Sequence, residues 1–469
     1  MMMEVEPSFS PELLNLYYAR LFPYEEMCRW LGYDTTPPPA EGEEEKSNPL
    51  LVKREFCFTL ENDVYCRYRS FGGPSELRAA MLKDQPRKID IGAIFNLNPE
   101  REHGTAGFAP QQRELVFDID MSDYDDVRTC CQGATVCRRC WKAFIGSSVK
   151  VVDRALREDF GFTHVLWIYS GRRGVHCWVA DDMAKNLTDQ ARSAVVGFLS
   201  VARSADKGAE NLTHPLHPSL QCAYEILEPI FTESIVSDGD GQGHLATPER
   251  WTKLLSSLPP IADEAEAVTS NDGGRGASAD SCPLTKSAKA IADHWETTDC
   301  PPRTKWLGLK KWIADKKNNK KAKVNNAAQK KKQKTSATAT TVDDFVTLEL
   351  WKYDTVFKYS YPRLDENVSK MRNHLLKSPF AVHPKTGRVC VPFDPKLVDD
   401  FNPEAVPTIA QLAAEIDNHP DKDKADLDKT SLQQHVAFFR NSFLNPILLS
   451  TARAARRERE RLNAQNCDF

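Results

Sequence analysis

Asp118 and Asp120 stand two residues apart in ELVFDIDMSDYDD (Glu114–Asp126), on either side of Ile119 and directly after apolar Leu115, Val116 and Phe117. Alternate side chains of a strand share a face, so the two carboxylates point one way and Ile119 the other. Two ionised carboxylates within a few Å repel each other, and a bound divalent cation relieves that repulsion; hard oxygen ligands suit Mg²⁺ or Mn²⁺. In phosphoryl transfer, two such ions roughly 3.5 to 4 Å apart activate the attacking oxygen and stabilise the leaving one. Alone, a D-x-D also reads as a strand end entering an acidic turn capped by Ser122 and Asp123, and it decides little.

A second group sits in SGRRGVHCW, where Ser170, Gly171, Arg172, Arg173, Gly174 and His176 join two strand-like runs. Two guanidiniums, an imidazole and backbone N–H groups exposed by the glycines match a triphosphate chain. The competing interpretation is a basic hairpin turn with His176 half-buried. A third group, CCQGATVCRRC, places Cys130, Cys131, Cys137 and Cys140 within eleven residues. Four thiolates close a tetrahedral Zn²⁺ site with no open position, which makes it structural; reduced buried thiols or a redox pair are the alternatives.

These groups need elements to hold them. REFCFTL and VYCRYRSF alternate around ENDV and predict a β-hairpin; KIDIGAIF, ELVFDID, HVLWIYS and GVHCWVA predict further strands, and CWKAFIGSSVKVVDRALREDF a helix. A helix leads the chain, capped by Ser8 or Ser10 with Pro11 in its first turn. Strands and helices therefore mix in one α/β or α+β domain. Thr35 to Pro49, rich in Pro and Glu, predicts a loop or insert, as does the Gly-rich stretch around Ser270. LTDQARSAVVGFLSVA and ATPERWTKLLSSL predict helices of a smaller subdomain, and the lysine-rich segment Lys310 to Lys334 a solvated insert. YPRLDENVSKMRNHLLKSPFAVHPKTGRVCVPFD then gives a strand start, a helix and a turn at Pro384 to Gly387, before a largely helical end.

With 469 residues the chain is long enough for two or three domains, and 41% hydrophobic with 27% charged residues is ordinary for a soluble globular protein. No apolar run approaches ~18 residues and the first residues lack a secretion pattern, so an intracellular protein without a membrane span is expected. The thirteen cysteines are an odd number and scattered outside the one cluster, which predicts reduced thiols. The N-x-T matches at Asn186 and Asn211 then carry no meaning. A net charge of -4 hides a strongly basic stretch from Arg303 to Lys334, and with it an affinity for polyanions. That stretch offers nonspecific nucleic-acid contact, a nuclear import signal, or no role beyond solvation.

Together, REFCFTL, VYCRYRSF, VFDIDMSDYDD, CCQGATVCRRCW, YSGRRGVHCWV and LDENVSKMRNHLLKSPFAVHPKTGR resemble the small, catalytic subunit of the archaeal and eukaryotic DNA primase family, the eukaryotic branch most closely. The resemblance runs, with gaps, over nearly the whole chain. It implies a mixed α/β (α+β) prim-type catalytic core with a central β-sheet, a zinc knuckle and an inserted helical subdomain. The expected division is 1–185 for the first part of the core, with the zinc motif at 130–140; 186–342 for the helical subdomain, with a disordered lysine-rich insert at 310–341; and 343–469 for the return to the core and a helical end.

By position, the resemblance makes Asp118, Asp120 and Asp365 the ligands of two Mg²⁺ or Mn²⁺ ions and the four cysteines those of a structural Zn²⁺. It assigns Ser170, Arg172, Arg173 and His176 to the incoming triphosphate, with Glu55, His374, Lys377 and His383 nearby, Asp90 to the ribose hydroxyls, and Tyr65 and Arg67 to ordering the catalytic strand. The implied activity is DNA-dependent synthesis of short RNA primers for replication from ribonucleoside triphosphates on a single-stranded template. The implied partners are a large primase subunit carrying an iron–sulfur cluster and the catalytic and accessory subunits of DNA polymerase α, in the nucleus. Two alternatives stand beside it: a primase-polymerase using deoxynucleotides in damage bypass, and a non-catalytic zinc-containing scaffold that binds nucleic acid.

Overall fold

The computed structural model describes residues 9–37, 44–102, 105–200, 212–261, 284–330 and 343–466. The chain forms two compact units, one of Met1–Ser122, Asp153–Phe198 and Leu364–Phe469, the other of Asp123–Val152 and Leu199–Arg363. No helix among the described residues is long and apolar enough to cross a membrane.

The first unit holds two sheets. β1 (Arg54–Thr59), β2 (Tyr65–Arg69), β3 (Lys88–Phe95) and β4 (Pro110–Gln112) lie in the order β2-β1-β3-β4, all antiparallel. β5 (Leu115–Asp120), β6 (Val165–Tyr169) and β7 (Gly174–Val179) make the second sheet, in which β7 lies between β5 and β6. Two short late strands close the set: β8 (Leu376–Lys377) joins β3, and β9 (Pro392–Phe393) joins β6. The mixed α/β class and every strand expected from alternating residues are therefore present. β6 and β7 are buried along their whole length, which is why they read as near-continuous apolar runs. The core beneath them includes Trp30, packed edge-on against Trp178, Phe439 and Phe443 at 5.3, 5.8 and 5.4 Å between ring centres.

The leading helix, Pro11–Arg20, begins as expected: the Ser10 hydroxyl accepts from the Leu13 N–H at 3.2 Å, and Pro11 opens the first turn. It is fixed by two tyrosines whose hydroxyls donate to distant carbonyls, Tyr17 to Phe380 at 2.8 Å and Tyr18 to Pro86 at 2.6 Å.

The second unit is helical, with Pro218–Ile230, Pro248–Leu255, Lys286–Thr297, Pro302–Lys330 and Asp343–Ser360 as its long elements. The expected disordered insert is corrected here, since its residues up to Lys330 belong to the helix Pro302–Lys330; the rest of 310–341 lies outside the described residues. Trp306, Leu309 and Ile313 recur at helical spacing and are buried, which anchors the helix start. Beyond that anchor Lys, Ala and Gln329 are good helix formers and outnumber the four asparagines among them, and uniform charge alone did not reveal this propensity. The Gly-rich stretch around Ser270 lies outside the described residues, as does 38–43 of the expected Thr35 to Pro49 loop.

Candidate active site and metal centres

β5 positions the two aspartates as its alternation predicts. Ile119 is fully buried, a contribution of about 1.5–3 kcal/mol, whereas Asp118 and Asp120 keep about a third of their side chains exposed. The register of β5 on β7 sets Asp118 opposite His176 and Asp120 opposite Gly174. Directly opposed residues share a face, and the His176 Nε2 lies 3.7 Å from an Asp118 oxygen. Only glycine fits at 174, because a Cβ there would stand 2.4 Å from the Ile119 carbonyl oxygen.

Asp120 is the more constrained carboxylate. It accepts from the Ser122 N–H at 2.8 Å and the Ser122 hydroxyl at 2.7 Å, and pairs with the Arg173 guanidinium at 2.7 Å. Burial would raise its carboxyl, but the Ser122 N–H and Arg173 outweigh burial and hold it below the ordinary value. Arg173 thus places positive charge where a carboxylate pair calls for a cation.

Asp365 reaches this strand from far along the chain. β5 is a sheet edge, and its outward carbonyls are met by the helix Glu366–Lys370: the Asp365 N–H donates to the Asp118 carbonyl at 3.0 Å, and the Ser369 hydroxyl to that of Val116 at 2.5 Å. The exposed Asp365 carboxylate caps its own helix by accepting from the Asn367 N–H at 3.1 Å. Asp118 and Asp120 on β5, and Asp365 on the segment that meets it, are hard oxygen donors with solvent access, the ligand type that Mg²⁺ or Mn²⁺ takes.

The basic turn between β6 and β7 is closed by Ser170, whose N–H donates to the Gly174 carbonyl and whose hydroxyl accepts from the Gly174 N–H, both at 3.0 Å. Gly171, at φ +85°, lies so close to the turn from His383 to Arg388 that a Cβ would meet the His383 Cβ at 2.7 Å. The Thr386 hydroxyl donates to the Gly171 carbonyl at 2.7 Å, and the Lys377 ammonium to that of Ser170 at 3.3 Å. Ser170, Arg172, Arg173, His176, Lys377 and His383 are therefore brought together. Thr386 carries no motif and was not singled out from the sequence.

Both imidazoles are neutral near pH 7. Burial, reinforced by Lys377, pushes His176 down to about 3; burial, Lys377 and Arg172 push His383 down to about 3. The His383 Nδ1 accepts from the Lys385 N–H at 3.2 Å, so its proton resides on Nε2. The first sheet supplies the remaining residues. Asp90 on β3 faces Lys377 on β8, and burial raises its carboxyl against the pull of Lys377. Buried Glu55 takes a two-pronged ion pair from Arg67 at 2.8 and 3.1 Å. Arg67 also donates to the Asn373 carbonyl at 3.2 Å, next to half-buried His374. Tyr65, largely exposed, pairs with Thr59 at the end of β1 and β2.

A buried charge cluster supports both sheets. Arg54, next to Glu55, donates to both Glu114 oxygens at 2.8 and 2.9 Å and to the Leu31 and Gly92 carbonyls. Arg192 donates to the Glu114 carbonyl at 3.1 Å, and the Tyr33 hydroxyl to the Glu114 carboxylate at 2.5 Å. Burial favours the neutral acid, but Arg54 and Arg113 outweigh it and keep Glu114 ionised.

The four cysteine sulfurs lie within 4.8 Å of one another, the one such group of potential ligands among the described residues. Recorded S–S separations are 3.4, 3.5, 3.7, 3.7 and 3.8 Å. A thiolate tetrahedron with metal–sulfur bonds of about 2.3 Å has edges of about 3.8 Å, so the quartet fits Zn²⁺. The Cys137 N–H donates to the Cys140 sulfur at 3.2 Å, opening the helical turn Arg138–Cys140. Asp125 and Asp126 are ion-paired with Arg128 and Arg363.

A sequence model described as DNA primase small subunit matches residues 117–395. The DNA primase small subunit of Drosophila melanogaster is 37% identical over 439 residues, covering 92% of this chain and 88% of its own length. Those of Schizosaccharomyces pombe and Saccharomyces cerevisiae are 36% identical over 424 residues and 32% over 455, covering 88% and 95% of this chain and 79% and 94% of theirs. Neither the damage-bypass nor the scaffold alternative is favoured by these relatives. The chain belongs to the DNA primase small subunit family.

Proposed function

We propose that this chain is the catalytic subunit of a DNA primase, joining ribonucleoside triphosphates into short RNA primers on single-stranded DNA. The observation that carries this function is the pairing of the Asp118–Asp120 strand with the strand of His176, across a turn that holds Arg172 and Arg173. Asp118, Asp120 and Asp365 would hold Mg²⁺ or Mn²⁺, which would supply the charge that lowers the pKa of an attacking 3′-hydroxyl and offsets charge on the phosphates. Arg172, Arg173 and Lys377 bind the triphosphate as fixed cations, while His176 and His383, neutral without ligand, act as hydrogen-bonding groups; the His383 Nε2–H is free of the Lys385 contact. Asp90 takes the ribose hydroxyls in this reading, and Glu55 with Arg67 stiffens β1 against β2. Tyr65 stands at the exposed end of that pair of strands.

Zn²⁺ at Cys130, Cys131, Cys137 and Cys140 is structural. The family implies a large primase subunit and nucleic-acid substrates as partners; the finer expectations are an iron–sulfur cluster on that subunit, assembly with DNA polymerase α, and a nuclear location. The test is Asp118→Asn with Asp120→Asn: nucleotide incorporation on single-stranded template should fall to background while circular dichroism and zinc content stay at wild-type values. Retained primer synthesis contradicts the assignment.

A further inference from the structure

The cysteine quartet is backed by a residue 112 positions away. Gln242 is 2% exposed, and its Oε1 accepts from the Thr129 N–H at 2.8 Å and the Cys130 N–H at 3.3 Å. Two backbone donors on one oxygen fix which end of the amide is which. The NH₂ end then faces sulfur, and Nε2 donates to the Cys130 Sγ at 3.4 Å. The Gln242 backbone is held in turn: its carbonyl accepts from the Thr129 hydroxyl at 2.5 Å and from Arg250 at 3.0 Å, and its N–H donates to the Ser234 carbonyl at 3.0 Å. Beside Cys131, Arg128, 3% exposed and ion-paired with Asp125, sets Nη1 at 3.9 Å from the Cys131 Sγ and donates to the Thr135 and Gly133 carbonyls at 2.8 and 3.1 Å.

A divalent ion with four thiolates carries a net charge of about −2, and with Cys140 buried and the other three half-buried that charge is costly unless donors surround the sulfurs. We propose that Gln242 and Arg128 are positioning residues of the cysteine metal site: Gln242 orients and stabilises the Cys130 thiolate, and Arg128 supplies compensating charge beside Cys131. This inference rests on the Zn²⁺ assignment. It also explains how adjacent Cys130 and Cys131 serve one ion, since Gln242 grips the backbone of Thr129 and Cys130 directly before the chain turns.

The test uses the full chain. Zinc content of the wild type is measured first by atomic emission, then the rate of zinc release to a chromogenic chelator. Gln242→Glu keeps the oxygen that receives both backbone N–H groups and loses the donor to sulfur, so it should release zinc roughly 10- to 100-fold faster. Thr129→Val, which removes only the hydroxyl bonds, should stay close to wild type. Cobalt-substituted protein gives a second readout that a packing role would not move: Gln242→Glu and Arg128→Met should each shift the sulfur-to-cobalt charge-transfer bands. Zinc-loaded Gln242→Glu with wild-type release and wild-type cobalt bands overturns the inference alone. A wild-type chain that binds neither zinc nor cobalt overturns the Zn²⁺ assignment itself, and the inference with it.

Discussion

His176 shows how one side chain ties the site to pH. It is 5% exposed, faces Asp118, and its pKa is pushed from 6.5 down to about 3, first by burial and then by Lys377. A depressed histidine pKa means that the unfolded chain binds the proton more readily than the folded one. Stability is therefore whole above pH 6.5 and is lost as pH falls through the window from 6.5 to about 3. At pH 5 the loss from this residue alone is about 2 kcal/mol. Denaturant unfolding at pH 7 and pH 5 should show the fall, and His176→Gln should reduce it by about that amount. An unchanged pH difference in the variant would mean that His176 is protonated in the fold. The same neutrality leaves the positive charge around this turn to Arg172, Arg173 and Lys377, a division that residue types in SGRRGVHCW do not reveal because burial decides it.

At the scale of elements, β1 and β5 are joined where they begin. Arg54 and Glu114 are both fully buried, and Arg54 binds both carboxylate oxygens. Removing Arg54 leaves buried Glu114 to Arg113, so Arg54→Met should cost about 3–5 kcal/mol, and Glu114→Leu, which strands both Arg54 and Arg113, a similar amount; the double variant should cost less than the two single costs added, because the pair is lost only once. Urea unfolding of the two single variants and the double checks this, and strictly additive costs would deny the pairing. Alternation around Ile119 and the glycines at 171 and 174 made β5, β7 and the basic turn legible from sequence, because each is a local pattern. The Arg54–Glu114 pair was not, since a buried ion pair between residues sixty positions apart has no periodicity. Asp365 was legible only through resemblance: its N–H bond to the Asp118 carbonyl closes an edge strand, and nothing near RLDENVSK signals that edge. The helix Pro302–Lys330 was misread because like charges were weighed above helix propensity and the Trp306, Leu309, Ile313 stripe.

At the scale of the whole molecule, the proposed ligands of the two kinds of metal belong to different units: the carboxylates Asp118, Asp120 and Asp365 to the first, the cysteines to the second. Hard oxygen ligands open to solvent exchange their ions readily, whereas a closed thiolate quartet releases its ion slowly and contributes folding energy directly. The two should therefore separate under chelation. Brief treatment with EDTA should abolish nucleotide incorporation, and excess Mg²⁺ should restore it fully with zinc content unchanged. Prolonged treatment with a strong zinc chelator should instead expose the segment around Cys130 to Cys140 to protease, where Arg128, Arg138 and Arg139 offer trypsin sites. The sheets of the first unit should keep their protection from hydrogen exchange at the same time. Loss of that protection together with the zinc would show that the second unit's metal stabilises the whole chain, and readdition of Mg²⁺ alone would then fail to restore synthesis.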